Sequence, residues 1–189
     1  QQSGKDSETG RKEKQSAMIR KAETADLDAI LNLYDQGRAI MRREGNRHQW
    51  TSAYPGPDSA RQDLKAGHLY VNSQLTAVMT YMPGPDPTYQ TMVEGSWLDE
   101  SRYAVIHRIV STEPGQGRAL LEYGMTCAGH LRIDTHSRNH GMKRLLTSLG
   151  FRRCGVILCQ DGTPREAFEW SSADPDGQHD RKRSRSQTR

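Results

Sequence analysis

The stretch from Tyr103 to Leu121 constrains this chain more than any other. Tyr103-Ala104-Val105-Ile106-His107-Arg108-Ile109-Val110 has the apolar character of a strand. The turn Gly115-Gln116-Gly117 follows, and then the helix-forming run Arg118-Ala119-Leu120-Leu121. Two glycines flanking one residue let the backbone approach a ligand with no Cβ in the way. The free N–H groups of a first helical turn point into such a turn, and the helix dipole favours negative charge there. The pattern predicts a phosphate or pyrophosphate site over Gly115, Gln116, Gly117, Arg118 and Ala119. A plain tight turn accounts for the two glycines equally well on sequence alone.

The flanking elements alternate. Ile19 to Ala22 reads as a strand. Thr24 is a candidate N-cap for a helix with Leu27, Ile30, Leu31 and Tyr34 at helical spacing. Glu44 to Pro57 is irregular and Asp58 to Ala66 a short helix. His68 to Asn72 and Thr76 to Met82 are strands joined by a tight turn, and Pro83 to Pro87 is a rigid loop. After the strand Tyr103 to Val110 come a helix over Ala119 to Ala128, a strand over Leu131 to Thr135 and a helix over Met142 to Leu149. Two last strands, Cys154 to Gln160 and Arg165 to Trp170, flank the turn Asp161-Gly162-Thr163-Pro164. Strands and helices mixed in this order predict an α/β domain with one central sheet.

Several of these residues resemble the GNAT superfamily of acyl-CoA-dependent N-acyltransferases. The family's [Q/R]-x-x-G-x-[G/A] signature corresponds to Thr112-Glu113-Pro114-Gly115-Gln116-Gly117. Its later strand, Asn, short helix and Gly-Phe pair correspond to Leu131–Thr135, Asn139, Met142–Leu149 and Gly150-Phe151. The likeness spans Met18 to Trp170. It implies helices on both faces of a single mixed sheet, and splayed fourth and fifth strands (Tyr103–Val110 and Leu131–Thr135). It also implies acetyl-CoA as acyl donor, with its pyrophosphate on Gly115–Ala119, its pantetheine arm on the backbone of Ile109 and Val110, and a contact from Asn139. Asn139 also suits a plain helix N-cap. Two positions depart from the family pattern. Thr112 replaces the Gln or Arg, and Leu146 stands where many members carry a proton-donating tyrosine.

Acyl transfer to an amine needs a base, a polarised thioester carbonyl and a proton for the departing thiolate. His107 is the candidate base, because imidazole titrates near neutrality; a structural histidine buried on the sheet is the other reading. Tyr103 and Thr147 are candidate relocated acids. Asp134 and His136, two apart on a strand, share a face and predict a pair. Trp50, Tyr54 and Trp97, with His48 and Glu94 nearby, are candidate walls of an acceptor pocket for a small-molecule or peptide amine.

Composition sets the remaining bounds. The chain has 189 residues, 33% of them hydrophobic, and a net charge of +4. Residues 1–17 and 171–189 hold no large apolar side chain, so both read as disordered tails around a domain at 18–170. The basic run Arg181-Lys182-Arg183-Ser184-Arg185 reads as a solvated tail rather than a nucleic-acid site, since the middle of the chain is nearly neutral. Cys127, Cys154 and Cys159 form neither an even disulfide set nor a metal-type pair, and Cys127, within a helix, is expected to pack in the core. No metal is expected. The expectation is a cytoplasmic protein without a membrane segment, monomeric or homodimeric. It is read as an N-acetyltransferase on a primary amine, or alternatively as an acyl-CoA-binding regulatory module with little turnover.

Overall fold

The computed structural model describes residues 18–173. The expectations for residues 1–17 and for 174–189, the basic run included, lie outside the described residues. The order is β1 (Ile19–Lys21), α1 (Leu27–Arg43), α2 (Pro57–Lys65), β2 (Leu69–Asn72), β3 (Ala77–Pro83), β4 (Met92–Gly95), β5 (Ala104–Ser111), α3 (Gln116–Cys127), β6 (His130–Thr135), α4 (His140–Ser148), β7 (Arg152–Leu158) and β8 (Pro164–Ser171).

The strands form one mixed sheet in the order β1-β2-β3-β5-β6-β8-β7-β4. Only β5 and β6 run parallel among the described pairs. Alternation along the strands divides the core between the two faces. Leu69, Val71, Val78 and Val110 meet Ile30, Leu33 and Tyr34 of α1. Ala77, Met79 and Ile106 meet Leu120 and Leu121 of α3 and Leu146 of α4 on the other face. The expected fold class, α/β with a single mixed sheet and helices on both faces, is the observed one.

Three local expectations are corrected. Thr24 does not cap α1. It starts a 3₁₀ turn in which Asp26, held by Arg20 at 2.7 Å, accepts the Glu23 N–H at 2.8 Å. β4 adds a strand at the far sheet edge, paired with β7. It is short and mostly exposed, so no alternating apolar pattern marks it. Cys127, expected to pack in the core from its helix, is exposed at the end of α3.

The parallel pair carries the opening. β5 and β6 register only at Ala104↔Leu131 and Val105↔Arg132. Beyond Val105 no strand among the described residues pairs with the β5 edge facing β6, while its other edge remains paired to β3 as far as Ser111. The expected splay thus lies between β5 and β6, the fifth and sixth strands once β4 is counted.

Candidate active site

A cavity of about 830 Å³ opens at this splay. Its walls come from β5 (Ile106 to Ile109), from β6 (Ile133 to Thr135), from the loop and helix after α1, and from the loop after β3. Of the residues expected in the site, His107, Ile109, Asn139, Trp50 and Tyr54 line it.

His107 sits between two carboxylates. Its Nε2 lies 2.7 Å from Asp86 Oδ2, and its Nδ1 lies 3.7 Å from Asp134 Oδ1. An ionised carboxylate only accepts, so the contact at Nε2 is an N–H donated to Asp86. Tyr89 completes the group by donating its hydroxyl to Asp134 Oδ1 at 2.7 Å. Burial first, and the Asp134 charge next, push the Tyr89 hydroxyl well above its ordinary range, so it remains a donor. Burial opposes ionisation of Asp86. The hydrogen bond and charge of His107 and the Thr88 amide outweigh it and hold that carboxyl below its ordinary value. Such a group stabilises the fold above its unfolded pKa, and the contribution is lost as pH falls through the folded one. Asp86→Asn is therefore expected to narrow the stability difference between about pH 7 and about pH 3, measured by urea unfolding at both.

Asp134 therefore turns to His107 and Tyr89, not to His136 as expected. His136 lies beside His48, with ring centroids 6.5 Å apart, and its Nδ1 accepts the Arg138 N–H. Glu94, expected beside the pocket, pairs with Arg153 at the exposed sheet edge. Asn139 caps α4 by accepting the Met142 N–H at 3.1 Å, and its amide also donates to Gln49 at 3.2 Å. Gln49 further accepts from Asn46 at 2.8 Å, so it ties the Trp50 loop to the start of α4.

The β5 strand is bulged. Thr80 opposes His107 and Val78 opposes Val110, so Met79 faces both Arg108 and Ile109. Arg108 has φ of 47°, in the left-handed region. Its guanidinium is held by Asp63 at 2.7 and 2.8 Å, by Thr80 at 3.2 Å and by the Tyr54 hydroxyl at 2.8 Å. The bulge resets the strand's alternation. His107, Arg108 and Ile109 all line the cavity as a result.

The glycine turn lies outside the cavity. Gly115 is the N-cap of α3 with φ of 83°, and α3 starts at Gln116, earlier than expected. The Gln116 side chain accepts from Asn72 at 3.1 Å. Arg118 faces Ser148 and Glu122 on the surface. A Cβ on Gly117 would meet Ser111 Oγ at 3.1 Å.

Other expected residues do not gather at the cavity. Tyr103 accepts the Asp86 N–H with its hydroxyl at 3.2 Å and stacks on the Arg132 guanidinium at 4.0 Å. Trp97 donates to the Tyr89 carbonyl at 2.8 Å and covers the other side of Arg132. Both are drawn off by a buried cation that needs aromatic cover and support. The Val110 side chain packs under α1. The Thr147 hydroxyl donates to the Lys143 carbonyl on the surface of α4. Leu146 is wholly buried beside Leu120, Leu121 and Phe151. Leu146→Tyr would overpack this layer and is expected to cost about 1–3 kcal/mol, read as a lower urea midpoint with an unchanged slope.

The sequence matches no family model and no curated protein. The fold does match solved structures. A GNAT-family acetyltransferase from Streptococcus agalactiae aligns at a TM-score of 0.75 and 27% identity, over 83% of this chain and 96% of that one. This chain is similar to GNAT-family acetyltransferases in fold and, to that one, in sequence. Two further likenesses show the GNAT fold. The protein yncA of Salmonella typhimurium, determined with its cofactor acetyl-CoA, has a TM-score of 0.57 at 18% identity over 82% of this chain and 94% of that one. The ribosomal-protein-alanine N-acetyltransferase of Brucella melitensis has 0.56 at 19%, over 82% and 99%. Among the described residues, no group of three or more His, Cys, Asp or Glu is placed to hold a metal, and no helix is long and apolar enough to cross a membrane.

Proposed function

We propose that this chain is a GNAT-type enzyme that transfers the acetyl group of acetyl-CoA to the primary amine of a small-molecule or peptide acceptor, with His107 as base. The observation that carries the reading is His107 Nδ1, held toward Asp134 by the Asp86 contact at Nε2, on a cavity wall where β5 and β6 part.

The donor fits the free edge of β5. Backbone groups left without a ladder partner near Ile109 and Val110 suit the two amides of a pantetheine arm, as an added strand suits any open edge. The pyrophosphate would rest on the N–H groups at Gly115–Ala119, and Asn139 would stand beside the arm. Acetyl-CoA, once bound, supplies a thioester carbonyl open to attack.

The chemistry then runs through one residue. The acceptor ammonium gives a proton to His107 Nδ1. The amine nitrogen bonds to the thioester carbon, the adduct's nitrogen gives its remaining extra proton to water, and collapse of the adduct breaks the C–S bond. The imidazolium, lying between the Asp86 and Asp134 carboxylates, returns the proton to the thiolate. This route does not use Tyr103, which is not among the residues that line the cavity.

Thiol release from acetyl-CoA with an amine panel tests the reading. Acceptor-dependent release supports it. Coenzyme A binding without release across the panel contradicts it and selects the regulatory module. Gly117→Asp tests the donor site. Its charge is expected to weaken coenzyme A binding at least about tenfold, about 1.4 kcal/mol, by calorimetry. Gly117→Ala is the control, since it adds only the Cβ.

A further inference from the structure

Arg108 is a cavity-wall group that the transfer step leaves unused. A non-glycine residue in left-handed backbone persists only where its surroundings hold it, and such residues concentrate at working sites. Asp63, Thr80 and Tyr54 do the holding here. A guanidinium has five N–H donors. The Nε hydrogen, one hydrogen on Nη1 and one on Nη2 are committed, so one on each Nη has no protein partner among the described residues. The side chain is only 13% exposed, yet it lines the cavity.

The bulge sets this fork next to the base. His107 and Arg108 are consecutive, with Cα atoms about 3.8 Å apart, and both face the same space. The wall is therefore polarised. Two carboxylates, Asp86 and Asp134, flank the base, and a planar cation with two free donors stands beside it.

We propose that the acceptor is an amino-acid-like molecule with a free carboxylate close to its amine, and that the two free N–H groups of Arg108 bind that carboxylate. This rests on the amine-acetylation reading above. A guanidinium fork matches the two oxygens of a carboxylate. A peptide N-terminus offers one neutral carbonyl oxygen nearby, which fills one donor and leaves the other desolvated.

The test uses the full chain, acetyl-CoA and three matched sets of acceptors: common L-amino acids, their C-terminal amides, and the corresponding decarboxylated amines. Thiol release is expected to show kcat/KM at least about tenfold higher for the acids than for the matched amides, mainly through KM. Arg108→Lys, which keeps a charge but loses the fork, is expected to remove most of that preference, bringing the acid-to-amide ratio of kcat/KM to within about threefold of one. Equal kcat/KM for acids and amides in the unaltered protein overturns the proposal, without reliance on any variant. If no set turns over, the N-acetyl derivatives are titrated by calorimetry with coenzyme A present. Binding of the acids alone then supports the carboxylate site, although the missing turnover counts against acetyl transfer. Failure of the acids to bind in preference overturns the site.

Discussion

His107→Ala is expected to lower the acetyl-transfer rate by about a hundredfold or more, the usual loss when a general base is removed. Coenzyme A affinity should change little, because the side chain faces the cavity and not the glycine turn. The acidic limb of the rate profile should vanish with the imidazole. A retained limb would assign proton removal to another group or to ionisation of the acceptor itself. Asp86→Asn should fall between the two proteins in rate. An amide oxygen can still accept from Nε2–H, but it carries no charge to balance the imidazolium.

Asp63→Ala should have the largest effect on stability. It strips the bidentate partner from a largely buried guanidinium whose backbone already sits in the left-handed region. Loss of one member of such a pair typically costs about 3–5 kcal/mol, or roughly 10 °C in melting temperature for a chain of this size. The double variant with Arg108→Met should recover part of the loss, since no unpaired charge then remains. A single variant as stable as the parent would show that Asp63 does not support the bulge.

The glycine turn, the strand before it and the Asn139 cap could all be read from the sequence because each is a local pattern. His107 was accessible for the same reason, as a titratable residue on an otherwise apolar strand. Asp134 stood out too, though paired with His136 rather than His107, but Asp86 and Tyr89 did not. Asp86 lies in a proline-rich loop that reads only as rigid, and Tyr89 lies just beyond it. Nothing local announces that this loop folds back over β5 and β6. Asp63 and Arg108 meet across 45 residues, a pairing no spacing rule anticipates. Strict alternation puts His107 and Arg108 on opposite faces, and only the bulge opposite Met79 brings them onto one wall. From the sequence alone Tyr103 reads as a relocated acid and Trp97 as a pocket wall. The buried Arg132 that claims both lies on β6, and no local pattern reveals that neighbour.

A structure of the chain with coenzyme A tests the central claim most directly. The pyrophosphate should lie on the N–H groups at Gly115–Ala119. The pantetheine arm should run along the free edge of β5 past Ile109, and the sulfur should enter the cavity facing His107. A coenzyme bound elsewhere, or a sulfur on the far side of β5 from His107, would contradict the account.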